Sequence, residues 1–407
     1  MTRVLPTWLF VLPWDVHHTG GVNQVVMSLY RECERAGRMR PLIMVLDPTG
    51  SSIDEAELRG FNCIHLRVNA PAHNGITARG VLSYLVHLPS TLVRLLRLFR
   101  RYRVEVVNAH YPTLSIYSIA WMKRLGLFTG RLILSFHGLD VRTANQRVGV
   151  ERGLWRRLIA QADALVACSQ SLAADIEAWG PAQRARCVTV RNGVDIARVH
   201  ELAAPQPPST VLPTGPFLLN IATFEHKKGQ DILLRAYARL AAGSAVIPLV
   251  IIGRAGPLKA EIPALIETLG LSDRVSCFYD LPHSRTLEYL RAATLFVLPS
   301  RAEGMPIVIL EAGALGVPVI ATRVDGVPEI ISGERLGWLV ESEDVDGLEK
   351  GLRTLLEDAS LRAAFAAALH EHIQSHFTWT SSWDRYFQLL EPTKASKRAP
   401  TQAPNEA

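Results

Sequence analysis

The sequence predicts an α/β protein built from two Rossmann-like, doubly wound domains that face a central cleft. Three observations predict it. Short continuous apolar runs alternate with stretches of helical periodicity along most of the 407 residues, as in parallel sheets covered on both faces. The alternation breaks at one Pro-rich segment and then restarts. Glycines and short polar residues recur at the ends of the apolar runs, where ligands of such sheets bind.

Composition agrees with this class. A chain of this length holds two or three domains, and 48% apolar with 20% charged residues fits a soluble protein with sizeable cores. No uninterrupted apolar run reaches the ~18–20 residues that a bilayer span needs. The N-terminal stretch has one basic residue and lacks a small-residue cleavage site, so it reads as a buried first strand and not a signal peptide. Cys33, Cys63, Cys168, Cys187 and Cys277 form no CxxC pair and are expected to be reduced core residues of a cytoplasmic protein. No HExxH motif occurs, and no metal is expected. The net charge of +6 is unevenly spread. Residues 1–200 carry 25 Lys and Arg against 14 Asp and Glu, leaving 19 basic and 24 acidic residues for the remainder. That basic half points to an anionic partner.

Taken in order, residues 7–13 read as a strand buried on both faces. The glycine turn Gly20-Gly21 leads into a helix over about 22–36, with Val22, Val25, Val26, Leu29 and Tyr30 at helical spacing. Strand, glycine turn and helix bring backbone amides against a phosphate or sugar; without a full GxGxxG, a tight connection explains the turn equally well. Further strands are predicted at 42–46, 62–66, 104–108, 131–136 and 163–168. Polar residues follow them: His110, His137-Gly138, Ser169, and Asn192 to Asp195. His137, at a strand end and followed by Asp140, is the strongest site candidate of this half, with a structural His-Gly turn as the competing reading. Residues 91–103 set Leu92, Leu95, Leu96 and Phe99 on one helical face and Arg94, Arg97 and Arg101 on the other. Such a helix suits an anionic membrane surface, and an ordinary solvated helix as well. No aromatic platform accompanies the arginines, so no nucleic-acid partner is expected.

Residues 1–196 are therefore expected to form a first domain, completed by a C-terminal helix over about 377–391. A Pro-rich linker is expected over 197–216. The second domain, 217–376, should contain strands at 217–222, 247–252, 274–278 and 294–298, with helices at 229–242, 258–269 and 285–293. In the turn from Thr223 to Gly229, Lys227 and Lys228 precede a helix, which suits a diphosphate; solvated loop lysines are the alternative. Gly253 ends another strand. The densest pattern is 298–333: a strand end, a polar loop over 300–306, an apolar helix over 307–315, a strand over 317–321 and a glycine turn over 325–329. Glu303 and Glu311 stand in it with seven residues between them. A carboxylate on so apolar a helix is costly unless something hydrogen-bonds it, and the amides at the Gly304 end suit an anion. The tail 392–407 is expected to be disordered.

These residues resemble the retaining glycosyltransferases of family 4, with the GT-B fold, over about 7–390. The run from Glu303-Gly-Met-Pro to Leu-Glu311-Ala carries the resemblance, with support from Gly20-Gly21-Val22, Phe136-His137-Gly138, Asn192-Gly193 and Lys227-Lys228-Gly229. The resemblance implies transfer of a hexosyl group from a nucleoside diphosphate sugar, uridine ahead of guanosine, with no metal or other cofactor. The basic half and the 91–103 helix point to a saccharide or polyprenyl-linked saccharide as acceptor, in cell-surface polysaccharide or glycolipid synthesis, at the cytoplasmic face of a membrane. The resemblance further implies that Glu311 binds the ribose hydroxyls and Glu303 the donor sugar. Lys228, with Lys227, would hold the diphosphate. Gly21, Thr223, Gly253, Gly304, Met305 and Pro306 would line the donor, and His137 would sit near the reacting carbon. His137, Glu303 and Lys228 form the implied catalytic set. The chain departs from the family at Ala222-Thr223, where Gly-Arg is usual, at Asp280, and at Asp325. These departures bear on nucleotide and sugar more than on reaction class. A non-catalytic nucleotide-sugar-binding scaffold, or another GT-B enzyme such as a sugar-nucleotide epimerase, is the alternative.

Overall fold

The computed structural model describes residues 5–16, 20–46, 54–58, 60–71, 76–205, 212–243 and 246–391. The expected disordered tail and residues 206–211 of the Pro-rich segment lie outside them.

The first sheet is fed by β1 (Thr7–Leu12), α1 (Gly21–Ala36), β2 (Arg40–Leu46), β3 (Asp54–Leu58), β4 (Phe61–Leu66) and α2 (Ala78–Tyr102). Then come β5 (Val104–His110), α3 (Tyr117–Arg124), β6 (Arg131–Phe136), α4 (Leu139–Gln146), α5 (Gly149–Gln161), β7 (Ala164–Ala167), α6 (Gln170–Glu177), α7 (Pro181–Arg184) and β8 (Cys187–Thr189). The eight strands run in the order β3-β4-β2-β1-β5-β6-β7-β8. All pair in parallel except β3, which is antiparallel to β4. Strand β1 explains why its run is apolar throughout. Leu9 and Val11 pack in one cluster with Leu95, Leu98 and Phe99 of α2. Trp8, Phe10 and Leu12 pack on the other face with Val25, Val26 and Leu29 of α1. Alternate side chains thus serve two helical layers, each buried large residue contributing roughly 1.5–3 kcal/mol.

The segment expected as linker starts as a helix, α8 (Ile196–Leu202), because the Asp195 carboxylate caps it by accepting from the Arg198 N–H at 3.0 Å. Helix α8 packs on the second domain, where His200 Nε2 lies 3.1 Å from the Ala314 carbonyl. The second sheet follows: β9 (Leu218–Ile221), α9 (Gln230–Gly243), β10 (Leu249–Gly253), α10 (Glu261–Thr268), β11 (Val275–Tyr279), α11 (His283–Ala292) and β12 (Leu295–Leu298). It continues with α12 (Ile307–Ala314), β13 (Val319–Thr322), α13 (Val327–Ile330), β14 (Trp338–Val340), α14 (Val345–Glu357) and α15 (Ala359–His376). Its six strands are parallel, in the order β11-β10-β9-β12-β13-β14. The last helix, α16 (Trp379–Gln388), returns to α1, and Trp383 packs at a tilt against Trp8 with ring centroids 4.8 Å apart. The architecture is the GT-B arrangement of two Rossmann-like domains.

Helix α2 corrects the reading of 91–103. Leu95, Leu98 and Phe99 are buried in the core, and Leu92 and Leu96 pack against it. The apolar face expected to lie on a membrane is therefore occupied. By length and composition α2 could also cross a bilayer; its second half packs on the first sheet. The exposed apolar residues of α2 are instead Leu82, Leu85, Val86 and Val93, mostly in its first half.

Candidate active site

Each sheet has one place where the strand order reverses, between β1 and β5 and between β9 and β12. Loops leaving the carboxyl ends of such neighbouring strands diverge and open a crevice. The two crevices face each other across one cleft of about 690 Å³. His137, Gly21, Thr223, Lys227, Lys228, Gly253, Glu303, Gly304, Met305, Pro306 and Glu311 all line it.

Lys228, after β9, and Glu303, after β12, meet directly: Nζ lies 2.7 Å from Oε1. Ser300 Oγ donates to the same carboxylate oxygen at 2.7 Å. The Glu303 N–H donates to Asp325 Oδ2 at 2.7 Å, and Arg142 of the first domain donates to Asp325 Oδ1 at 2.6 Å. Burial raises the Asp325 carboxyl, against the backbone and Arg142 contacts that lower it. Lys227 pairs with Glu225 at 3.0 Å, and Arg254 approaches the same carboxylate at 3.8 Å.

The loop between Glu303 and α12 is pressed onto the first domain. A Cβ on Gly304 would stand 2.0 Å from the His137 carbonyl and 3.0 Å from Cys168 Sγ, so no other residue fits there. A Cβ on Gly253 would stand 1.8 Å from the Ala222 carbonyl, which fixes the wall beside Thr223. Asn192 donates through Nδ2 to the Met305 carbonyl at 3.0 Å. Helix α12 starts at Ile307 and not at Gly304, because Pro306 ends the loop in extended conformation. The Gly304 and Met305 amides are thus loop amides, and the first residue of α1, Gly21, faces Ile307 across the cleft. Two helix N-termini of opposite domains meet at this point.

His137 follows β6. The buried Asp140 carboxylate accepts N–H bonds from His137 at 3.0 Å, Gly138 at 2.8 Å and Val141 at 3.1 Å, so Asp140 builds the turn that presents the imidazole. Burial still pushes its carboxyl up to about 6. His137 Nε2 lies 3.0 Å from His110 Nδ1. Burial pushes His137 down to about 4 and, with the His137 neighbour, holds His110 well below its usual range. Both rings are neutral at physiological pH.

Glu311 is buried on α12, and its Oε1 lies 2.7 Å from His283 Nε2. Sequence reasoning identified the carboxylate and its need for a partner, but not His283. His110, Asp325 and Arg142 were also missed as site residues. His110 ends β5, Asp325 stands in the turn after β13 and Arg142 lies on α4, and the partner of each is distant in sequence. His372 and His376 form an i,i+4 pair on α15, with rings 4.6 Å apart. Among the described residues no group of three or more His, Cys, Asp or Glu is placed to hold a metal ion.

Chemically, the cleft combines cations and helix N-termini for an anion, two buried carboxylates for hydroxyl groups, and a neutral imidazole at the domain junction. The family model described as glycosyl transferases group 1 matches residues 206–371, and that for Glycosyltransferase Family 4 matches residues 19–198. The chain belongs to glycosyltransferase family 4. A putative colanic acid biosynthesis glycosyltransferase, WcaL of Escherichia coli, is 27% identical over 62% of this chain. That match spans 61% of the relative's length, and the match to a D-inositol 3-phosphate glycosyltransferase of Catenulispora acidiphila, 32% identical over 56% of this chain, spans 57%. A D-inositol 3-phosphate glycosyltransferase of Segniliparus rotundus is 28% identical across 100% of this chain and 92% of its own length. Among solved structures, Anabaena HepE in complex with UDP superposes with a TM-score of 0.73 at 18% identity, covering 95% of this chain and 99% of that one. Sucrose-phosphate synthase from Thermosynechococcus elongatus gives 0.72 at 21%, covering 95% and 98%.

Proposed function

We propose that the protein is a retaining, metal-independent glycosyltransferase that moves a hexosyl group from a nucleoside diphosphate sugar, uridine ahead of guanosine, to a saccharide or polyprenyl-linked acceptor. One observation carries the reading: Lys228 and Glu303, paired at 2.7 Å, share a two-domain cleft with Glu311, Gly304 and His137. Two matched relatives are GDP-mannose-dependent mannosyltransferases, so guanosine is the first alternative to test.

In this reading Glu311 takes the ribose hydroxyls, and Lys228 with Lys227 takes the diphosphate. Glu303 takes a sugar hydroxyl, and Ser300 and Lys228 fix its carboxylate. The acceptor oxygen attacks the anomeric carbon from the face the phosphate leaves. The bond from that carbon to the phosphate oxygen breaks, its electron pair stays on the phosphate, and the acceptor proton passes to the same oxygen. Charge growing there is stabilised by Lys228 and by the amides of the facing loop and helix ends. Neutral His137 can donate to or accept from the sugar without adding a charge beside the oxocarbenium-like centre. Contact between the domains excludes water and so limits hydrolysis.

The acceptor is membrane-linked in this reading, and the protein is peripheral at the cytoplasmic face. Support comes from α2: Leu82, Leu85 and Val86 are exposed at its start, Arg79 beside them and Arg97, Arg100 and Arg101 further along are exposed too. Because α2 precedes β5, its first turns stand at the carboxyl edge of the sheet, the same rim as the cleft. Flotation with anionic vesicles tests this. Wild type should float, and Leu82→Ser with Val86→Ser should not; sedimentation of both away from lipid contradicts it. Thermal-shift screening with uridine, guanosine and adenosine diphosphate sugars tests the donor: one series should raise Tm in a concentration-dependent way, and no shift with any contradicts the reading.

A further inference from the structure

Glu311 poses a physical problem that one residue answers. It stands on α12 among fully buried Leu310, Ala312 and Ala314. A buried carboxylate there is costly unless hydrogen-bonded. Among the described residues the hydrogen-bond partner of its side chain is His283, whose Nε2–H donates to Oε1 at 2.7 Å. His283 is the first residue of α11, directly after Pro282, and also lines the cleft. We propose that His283 is a positioning residue for the donor: it holds one oxygen of Glu311, leaves the other to face a ribose, and sets the charge that a nucleoside diphosphate meets. This rests on the donor reading given above.

The groups around His283 fix the direction of the effect. Glu311 faces it from α12 and Arg198 from α8; Asp280 stands in the turn before it. On its own helix Arg285 and Glu288 pair with each other. Burial and Arg198 push the imidazole down, but the charge and hydrogen bond of Glu311 push it up, and the net shift is upward from 6.5. While His283 is protonated, the pair carries no net charge. When it loses its proton, Nε2–H still donates, so the geometry survives, but the negative charge of Glu311 is uncovered. A diphosphate binds less well beside that charge. Donor affinity should therefore fall as pH rises through the raised His283 value.

Calorimetric titration of the full chain with UDP and with GDP, from pH 6 to 9, tests this. Wild type, His283→Gln, His283→Ala, Glu311→Gln and the double variant His283→Ala/Glu311→Gln are compared. Gln keeps a donor near the Nε2 position without a titratable charge. Wild-type affinity should fall about fivefold more than that of His283→Gln across the range; taking the difference removes the phosphate's own titration. His283→Ala should lose about tenfold at neutral pH, a single lost hydrogen bond to a charged group. The same change should cost almost nothing in the Glu311→Gln background. Parallel pH profiles for wild type and His283→Gln, or an undiminished loss in that background, overturn the inference while leaving the donor reading intact. If wild type binds neither nucleotide, the donor reading itself fails, and this role with it.

Discussion

The Lys228 ammonium lies 2.7 Å from the Glu303 carboxylate, and the two residues come from loops after adjacent strands, β9 and β12, that flank the switch point of the second sheet. Side chains so placed can share one substrate: the cation at the leaving phosphate, the anion at the sugar. Lys228→Ala should lower kcat by about 10²–10³-fold, as losing one group that stabilises developing charge does. Donor binding should weaken less. Steady-state rates with saturating donor check this, and an unchanged kcat would remove Lys228 from the chemistry.

Gly304 touches the His137 carbonyl so closely that an added methyl has no room. Gly304→Ala should push the Glu303 loop away from the first domain, destabilise the fold by about 1–3 kcal/mol as overpacking does, and remove most turnover. Urea unfolding and activity measured together check it; a fully active, fully stable Gly304→Ala protein contradicts the close contact.

Glu329 of α13 reaches across the domain boundary. Its Oε1 accepts from the Gln170 N–H at 2.5 Å and the Ser171 N–H at 3.2 Å, at the start of α6, and its Oε2 from Arg191 at 3.2 Å. A carboxylate at a helix N-terminus with charge-assisted bonds contributes on the order of 1–3 kcal/mol. Glu329→Ala should lower the unfolding free energy measured in urea by that amount and raise the donor KM by loosening the docked domains, with kcat less affected. A change in kcat alone would contradict a docking role.

His110 and His137 should make the protein sensitive to acid. Both imidazoles are depressed by burial, His137 to about 4, so the unfolded chain binds more protons between about 4 and 6.5. Stability from the pair is present above 6.5 and is lost as pH falls through that window. Asp140, pushed up to about 6, works in the opposite direction, so the test is a difference between proteins. Tm of wild type should drop more from pH 7 to pH 5 than that of His110→Phe. Equal drops would show that His110 does not titrate as its burial demands.

Much of this architecture was legible because burial on both faces of a parallel strand forces continuous apolar runs, as in β1, β6 and β10. The short edge strand β14 and the antiparallel β3 carry no such run and were not predicted. Helix α8 escaped notice because Pro205 and its neighbours dominate that stretch, while its single clear signal is the Asp195 cap. The site was half visible. Glu303, Glu311, Lys228 and His137 stand out as charged or polar residues at strand ends or on an apolar helix. His283 and Arg142 were not visible, and His110 and Asp325 stood out only as a polar strand end and a departure from the family pattern, because the pairing of each is defined by a partner from another strand–helix unit or the other domain. The apolar face of 91–103 misled for a related reason: periodicity shows that a helix has an apolar face, not whether protein or lipid covers it.

The proposed transfer with retention can be observed directly. Purified protein should be incubated with anomerically pure labelled donor sugar and lipid-linked saccharide acceptors, and the product linkage read by NMR. Acceptor-dependent product with the anomeric configuration of the donor is expected from wild type, and none from Glu311→Ala. A product of inverted configuration, or full product formation by Glu311→Ala, would contradict it.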